Sequence, residues 1–231
     1  MLLLCFDTAT PQVGVAFGSD DEVLGRVQIV RAQHHAEHLA PAIKYLCDEL
    51  DVSLDQLSAI GVGIGPGLFT GLRVGVTTAK VMAQALRIPL IAVPSLDLLA
   101  FEVRYTDRLV VPVLDARRGE VFYSTYRQVP GGVQRLSEYE IATVDDLAGE
   151  LSAKGEEVLL IGDGALRYRE RFYDLDRMEF GPQSLCHPSP SALVELVRAK
   201  FFREDFCHPR QVHPLYLRLS DAELNWARLG R

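Results

Sequence analysis

The segment GVGIGPGLFTGLRVG, residues 61–75, holds six glycines and one proline just before and within a predicted helix. Glycine is costly in regular secondary structure, so this density indicates either a loop that cradles a ligand or unusually close packing. The free N–H groups at a helix start favour anions. Candidate anion or nucleotide contacts in this segment are Gly65, Gly67, Thr70 and Arg73.

Neither of the standard phosphate-binding motifs fits these glycines. A P-loop requires a lysine directly after its last glycine, and here Leu72 and Arg73 follow Gly71. A dinucleotide fingerprint requires a third glycine at fixed spacing and an acid about 20 residues later. The third glycine is displaced, and no Asp or Glu occurs between Gly67 and Asp97. Only a generic anion site at the helix start remains open.

A packing explanation accounts for more of the cluster. Small residues recur every fourth position at Gly71, Gly75, Ala79 and Ala83, and form a stripe along the helix predicted at 70–87. Such a stripe lets another backbone approach closely, either within the fold or on a partner. We therefore favour packing or partner contact over ligand binding for these residues.

Two short patterns suggest a metal, and neither is convincing. HHAEH at 34–38 fits an inverted zinc-peptidase pattern, but Pro41 disturbs the regular helix which that site requires. The tripeptide CHP occurs at Cys186 and Cys207, and adjacent Cys and His rarely bind one metal together. No metal ligand and no catalytic residue is predicted.

Composition limits the class of protein. The chain has 231 residues and a net charge of −7, which argues against direct, non-specific nucleic acid binding. The start MLLLCFDTAT lacks the basic region of a signal peptide, and no apolar stretch is long enough to span a membrane. Four widely spaced cysteines indicate neither a disulfide scaffold nor a zinc ribbon. We expect a cytoplasmic protein.

The elements that must position these residues follow an α/β pattern. Strands are predicted at Leu2–Asp7, Gln12–Phe17 and Val23–Val30, most simply as an antiparallel meander. Helix 35–50, a strand at Ala59–Ile64, helix 70–87 and a strand at 89–95 follow, and a third helix begins after them. This alternation implies parallel pairing with right-handed crossovers.

The pattern restarts at residue 109, where LVVPVLDARRGEVFYSTY has the same plan as residues 2–17. We infer two related α/β domains, 1–105 and 106–215, with a C-terminal helix at 216–231 that joins the first. Asp7 and Asp115 each close an apolar strand, and in such a fold those ends face the cleft where ligands bind. They are candidate nucleotide contacts together with Thr8. The alternative is that both aspartates only form turns.

Six segments occur in the order found in one bacterial family: FDTAT, HAEHLAPAI, GIGPGLFTGLRVG, VPSLDLLA, LDARRGEVF and HPLYLR. Over nearly its whole length the chain resembles the TsaB family, also called YeaZ. The resemblance implies an actin-like, sugar-kinase-like (ASKHA, ribonuclease H-like) fold of two duplicated α/β domains with mixed sheets. HAEH stands where HSER is common in the family, and GLFTG where GSFTG is common.

The resemblance also implies a function. TsaB proteins are non-catalytic subunits of the complex that forms threonylcarbamoyladenosine at position 37 of ANN-decoding tRNAs. Their partners are the catalytic paralogue TsaD and the ATPase TsaE, and they form homodimers when alone. tRNA is reached only through the complex, and no membrane is involved. The chain itself then requires no cofactor, although ATP or ADP is possible at the complex interface.

The contact surface in this family is formed by the first two helices of the N-terminal domain. In this chain that surface maps to residues of helices 35–50 and 70–87: His35, Leu39, Ile43, Leu46, Gly71, Gly75, Ala79 and Ala83. We expect Gly75→Leu to weaken association with a TsaD-like partner while the monomer stays folded.

One absence supports a subunit role. The catalytic paralogue carries an H-x-x-x-H metal motif just after the strand that corresponds to Val93–Pro94, and here SLDLLAFEV follows, with no histidine. Two alternatives stay open. One is an independent ATPase or phosphotransferase, with a phosphate loop at Asp7–Thr10 and a nucleotide pocket near residues 161–165. The other is a metallopeptidase built on HHAEH.

Overall fold

The computed structural model describes residues 1–31, 35–173 and 175–218, and the side chain of His35 lies outside this description. The first half of the chain forms a five-stranded sheet with three helices. Its elements are β1 (Leu3–Asp7), β2 (Gln12–Gly18), β3 (Val23–Val30), α1 (His35–Leu50), β4 (Ala59–Gly63), α2 (Phe69–Leu86), β5 (Leu90–Val93) and α3 (Ser95–Glu102).

The second half begins again with a long strand. Its elements are β6 (Leu109–Arg117), β7 (Glu120–Tyr123), β8 (Tyr126–Val129), β9 (Gly132–Arg135), β10 (Glu140–Thr143), α4 (Val144–Lys154), β11 (Val158–Ile161), α5 (Asp163–Arg167), α6 (Arg169–Phe172), β12 (Met178–Phe180) and α7 (Pro190–Phe202). Within the described residues, no helix is both long enough and apolar enough to cross a membrane.

The two sheets have the same strand order, β3-β2-β1-β4-β5 in the first and β10-β7-β6-β11-β12 in the second. In each, the first three strands of this plan pair antiparallel and the last two add in parallel. The hairpin β8–β9 is an addition to the second sheet. The second half, which begins at residue 109, therefore repeats the sheet topology of the first half, as the sequence pattern predicts.

Both sheets are covered by helices on both faces, which explains why β1 and β2 are buried at every position. Leu4 and Phe6 of β1 point to a core shared with α1 and α2. Leu3 and Cys5 alternate with them and point to a second core on the opposite face. Successive side chains of β1 point to opposite faces of the sheet, and both faces are buried. A strand that is apolar at every position therefore contributes to two cores.

The helix that covers the second face of each sheet comes from the other half of the chain. Leu193 and Val197 of α7 belong to the core of the first sheet, together with Leu3 and Cys5. Leu96 and Leu99 of α3 belong to a core of the second sheet. The domain boundaries predicted as 1–105 and 106–215 separate the two sheets but not these helices. An apolar helix face is buried by packing against a sheet face that no other helix covers. For α3 and α7, that sheet face lies on the other side of the predicted domain boundary.

The last described residues, 212–218, form a segment that we call the C-terminal strap. Val212 is buried in the first core, and its carbonyl accepts a hydrogen bond from Lys80 Nζ at 2.9 Å. Arg218 reaches the second half, where it pairs with Glu120 at 2.7 Å. Residues 216–218 are not helical. The rest of the helix predicted at 216–231 lies outside the described residues.

Candidate functional site

The carboxyl end of β1 forms a buried hydrogen-bonded network around Asp7, whose exposure is only 2%. The hydroxyl of Ser95, at the start of α3, donates to Asp7 Oδ2 at 2.6 Å and accepts from the Gly65 N–H at 3.1 Å. The Ala9 N–H donates to Asp7 Oδ1 at 2.8 Å. Three separate segments thus meet at one carboxylate, as expected where parallel strands end together.

The glycine-rich turn lies against this network with no space for a side chain. A Cβ on Gly63 would collide with the Asp7 carboxylate, and a Cβ on Gly67 would collide with the Ala9 carbonyl. Gly65 has φ +96°, a conformation that side chains disfavour. Close packing within the fold therefore requires glycine at these earlier positions of the cluster. This agrees with the packing explanation and not with a loop that cradles a ligand.

The predicted anion contacts at this turn are mostly engaged by the protein itself. Thr8 Oγ1 donates to the carbonyl of Gly71 at 2.7 Å, and the Gly65 N–H is used by Ser95. Thr70 is exposed at the start of α2. An anion role for these residues stays a prediction, and Thr70 and Arg73 are the members of the group whose side chains face solvent.

Arg73, the cation predicted to contact an anion, is held by an aromatic pair. Its guanidinium lies 3.9 Å from the centroid of the Phe69 ring, and its Nε donates to Tyr216 Oη at 3.2 Å. The Phe69 and Tyr216 rings are themselves 4.8 Å apart. The C-terminal strap is thereby fastened over the first turn of α2, and the Leu215 N–H donates to the Ile64 carbonyl at 2.8 Å.

Asp115 occupies the equivalent place in the second sheet, but its partners are different. Its Oδ1 accepts from the Arg117 N–H at 2.9 Å and from Tyr168 Oη at 3.1 Å. Two guanidinium groups, those of Arg117 and Arg167, lie 3.4 and 3.5 Å from Oδ2. The strand does not end at Asp115 as predicted; β6 continues to Arg117 through an irregularity in its pairing with β7.

A second carboxylate accompanies Asp115. Asp163, the first residue of α5, accepts a hydrogen bond from the Asp115 N–H at 3.0 Å. Burial raises the pKa of Asp163 to about 6, and the nearby charge of Asp115 acts in the same direction. The preceding Gly162 has φ +100°, and a Cβ there would collide with the Val113 carbonyl.

The structure corrects the predicted partner interface. Its described members are buried in the protein's own first half: Leu39, Ile43, Leu46, Gly71, Gly75, Ala79 and Ala83. A Cβ on Gly75 would collide with Thr8 Oγ1. The small-residue stripe therefore accommodates the turn after β1, because an amphipathic helix places its small and apolar face against its own sheet. Gly75→Leu is expected to unfold the monomer rather than to spare it.

The outer faces of α1 and α2 carry exposed apolar side chains instead. Tyr45 on α1 is 53% exposed and Val81 on α2 is 60% exposed. Lys44 and Asp48 form an exposed ion pair on the same helix as Tyr45, at 2.8 Å. We call this two-helix surface the α1–α2 outer face.

Within the described residues, no three His, Cys, Asp or Glu side chains are grouped so that they could hold a metal ion. His34 of the HHAEH pattern lies outside those residues. Pro41 lies inside α1, and Cys186 and Cys207 are both free thiols.

Sequence reasoning missed Ser95, Tyr168 and Tyr216 of these networks, and it included Asp163 only within the segment 161–165 of the candidate nucleotide pocket. A signal existed for Ser95 and Asp163, since each begins a helix directly after a buried strand, where side chains converge at the sheet edge. Tyr168 and Tyr216 reach their partners from distant positions, and no local spacing indicates this.

Comparison with known proteins gives consistent matches. The family described as TsaD, tRNA N6-adenosine threonylcarbamoyltransferase, matches residues 23–226. The tRNA threonylcarbamoyladenosine biosynthesis protein TsaB of Bacillus subtilis is 32% identical over 231 residues, which cover 98% of each chain. TsaB of Escherichia coli is 28% identical over 71% of this chain and 72% of its own length.

Solved structures agree with this assignment. YeaZ from Pseudomonas aeruginosa superposes with a TM-score of 0.80 at 28% identity, covering 94% of this chain and 99% of its own. The ethanolamine utilization protein EutJ from Carboxydothermus hydrogenoformans, at 10% identity and a TM-score of 0.53, shares the fold alone; it covers 84% of this chain and 90% of its own. The predicted actin-like class with mixed sheets is confirmed. The chain therefore belongs to the TsaB (YeaZ) family of tRNA threonylcarbamoyladenosine biosynthesis proteins.

Proposed function

We propose that this protein is a non-catalytic subunit of the complex that forms threonylcarbamoyladenosine at position 37 of ANN-decoding tRNAs. The observation that carries the proposal is the match to TsaB over 98% of both chains. The subunit binds the catalytic TsaD protein and supports it. The match of residues 23–226 to the TsaD family is consistent with a paralogous pair, because paralogues frequently associate through equivalent surfaces.

The site geometry supports a role without chemistry of its own. Asp7 and Asp115, the carboxylates at the two strand ends, are both buried and both accept hydrogen bonds from groups of the same chain. A carboxylate that binds a metal–phosphate group or acts as a base must instead present an oxygen to the substrate. This arrangement favours the subunit over the alternative of an independent ATPase or phosphotransferase.

We assign partner binding to the α1–α2 outer face. Protein interfaces concentrate aromatic and aliphatic anchors at their centre, and Tyr45 and Val81 are the large apolar side chains exposed on these two helices. The same face would mediate homodimerisation when TsaD is absent, so the two assemblies would compete. In this proposal a TsaE-like ATPase is a further partner, and the chain reaches tRNA only through the complex. ATP or ADP binds at the interface of the complex. The widely spaced free cysteines favour a cytoplasmic location.

The test is association of the purified chain with TsaD from the same organism, followed by analytical ultracentrifugation. Val81→Glu is expected to weaken association at least tenfold, because it places a charge at the centre of an apolar contact. Tyr173→Glu is the matched control, since Tyr173 is 72% exposed but lies in the second half. Failure of the native chain to bind TsaD would contradict the function; equal binding by native and Val81→Glu chains would contradict the surface.

A further inference from the structure

A cavity of about 390 Å³ lies at the C-terminal end of α2, on the opposite side from the glycine-rich turn. One wall is formed by the last turn of α2 and Ile88, and the other by the segment His208–Arg210. Its volume lies within the range of small-molecule sites. It is separate from the networks around Asp7 and Asp115, and it is lined by His208 and Pro209 of the second CHP tripeptide and by Ala83 of the small-residue stripe.

The cavity is basic in a chain that is acidic overall. Arg87, His208 and Arg210 line it together with Gln84, and none of the described residues that line it is an aspartate or a glutamate. The net charge of the whole chain is −7. Within residues 1–31, 35–173 and 175–218, neither the Arg87 nor the Arg210 guanidinium forms an ion pair, whereas nine other arginine and lysine residues of the second half do.

Both walls are fixed by hydrogen bonds. Arg87 is the left-handed cap of α2, with φ 58°, and its N–H donates to the Ala83 carbonyl. On the other wall, the Cys207 N–H donates to the Leu90 carbonyl at 2.8 Å, and Val212 is buried beyond the turn. The backbone of both walls is therefore held by the fold itself, which lowers the entropy cost of binding at this place.

The hydrogen bonding of His208 defines what it offers to the cavity. Its Nδ1 accepts from the Arg210 N–H at 3.2 Å, which leaves Nε2 as the N–H donor of a neutral ring. Two arginines, one histidine and one glutamine thus line the same opening. This set of donors suits a tetrahedral oxyanion, which accepts several hydrogen bonds at once, and phosphate pairs most strongly with arginine.

We propose that this cavity binds the phosphate group of a small phosphorylated molecule, with Arg87, Arg210 and His208 holding the phosphate. The apolar lining, Ala83, Ile88 and Pro209, would contact the body of that molecule. The proposal does not depend on the function argued above. A simpler role for Arg87 is to neutralise the carbonyls at the end of α2, since cations are favourable at helix C-termini.

Calorimetric titration of the full chain with inorganic phosphate and with phenyl phosphate, at constant ionic strength, tests this site. We expect saturable binding of phosphate with a Kd of about 1 mM, and about threefold tighter binding of phenyl phosphate because of the apolar lining. Arg87→Gln and Arg210→Gln are each expected to weaken binding about tenfold. Arg203→Gln is the matched control, because Arg203 also follows the last turn of a helix, α7, as its C-cap and does not line this cavity.

Three outcomes would overturn the proposal. The first is that phosphate shows no saturation up to about 10 mM. The second is that Arg203→Gln weakens binding as much as Arg87→Gln, which would reduce both residues to caps of helix ends. The third is that a ribonucleotide trimer with hydroxyl ends, which offers phosphodiesters only, binds more tightly than phenyl phosphate. That result would assign the cavity to an RNA backbone instead of a small molecule.

Discussion

The two halves of this protein share one strand order but stabilise the equivalent strand end in different ways. In the first half, Asp7 is enclosed by Ser95 and by Gly63, whose backbone approaches the carboxylate without space for a Cβ. In the second half, Asp115 lies among Arg117, Arg167 and Tyr168, whose ends reach solvent. Repetition of a topology therefore does not imply repetition of the interactions that hold it.

This difference has an energetic consequence. Steric fit and buried hydrogen bonds are not weakened by water, whereas partly exposed charges are screened and contribute little. The groups around Asp7 should therefore tolerate almost no substitution, whereas the arginine and tyrosine side chains around Asp115 should tolerate several. The following substitutions compare the two halves directly.

The largest effect is expected for Gly75→Ala compared with Gly149→Ala, each a glycine inside a helix. A Cβ on Gly75 collides with Thr8 Oγ1, so this change should lower the free energy of unfolding by about 3 kcal/mol. Gly149 in α4 has no atom within 4 Å of the added carbon, so the change there should raise that free energy by about 0.5–1 kcal/mol. Urea denaturation measures both. Equal signs would break the comparison.

The next effect is expected for Ser95→Ala compared with Tyr168→Phe. Removal of the Ser95 hydroxyl leaves a buried carboxylate oxygen and the Gly65 N–H unpaired, and should lower the free energy of unfolding by about 2–3 kcal/mol. Tyr168→Phe removes one of several donors to Asp115 and should cost about 0.5–1 kcal/mol. A larger loss for Tyr168→Phe would show that the second network is the less tolerant one.

A smaller, pH-dependent effect is expected at Glu102, where the halves meet. Its carboxylate accepts a hydrogen bond from the Ser189 N–H before α7, and burial raises the pKa of Glu102 to about 7 from 4.5. The folded state thus binds the proton more tightly, so this contribution to stability is complete below pH 4.5 and is lost as pH rises through 7. Glu102→Gln should match the native chain at pH 4.5 and exceed it by about 2 kcal/mol at pH 8.

The control for that prediction is the difference in the free energy of unfolding between the native chain and Glu102→Gln at each pH. The difference is needed because other groups also titrate. Burial lowers the pKa of His187 to about 4, and this group destabilises the folded chain as pH falls. Subtraction of the Glu102→Gln curve from the native curve removes the His187 contribution. A difference that does not change with pH would contradict the assignment to Glu102.

The smallest effect is expected for Arg167→Gln. Arg167 contacts Asp115 from an exposed position, so solvent screens the pair and the urea midpoint should not change measurably. A loss comparable to that of Ser95→Ala would show that the second half depends on its surface charges.

Much of this architecture could be predicted from the sequence, because apolar periodicity records which faces are buried. The strands around Leu4 and Val111, the amphipathic α1 and the restart at residue 109 follow from it. Ser189 caps α7 with Pro190 at its first position, as the local pattern predicts. Asp7 ends β1 as predicted, whereas β6 continues two residues past Asp115.

The sequence could not predict which segment packs against the small-residue stripe. The spacing of small residues indicates close packing, but it does not identify the neighbouring segment. Thr8 and Gly75 are far apart in the chain, and nothing local records that they meet. The packing of α3 and α7 on the opposite sheets is hidden for the same reason. Each helix is apolar enough to cover either sheet, so only the three-dimensional arrangement decides.

The reciprocal placement of α3 and α7 affects how the protein can come apart. A cut near residue 105 would strip each sheet of a helix that the opposite fragment carries, leaving an apolar face exposed on both. Neither fragment should then persist as an autonomous folding unit, and heating should melt both sheets together in a single transition. The repeat is visible as two sheets, yet it behaves as one cooperative body.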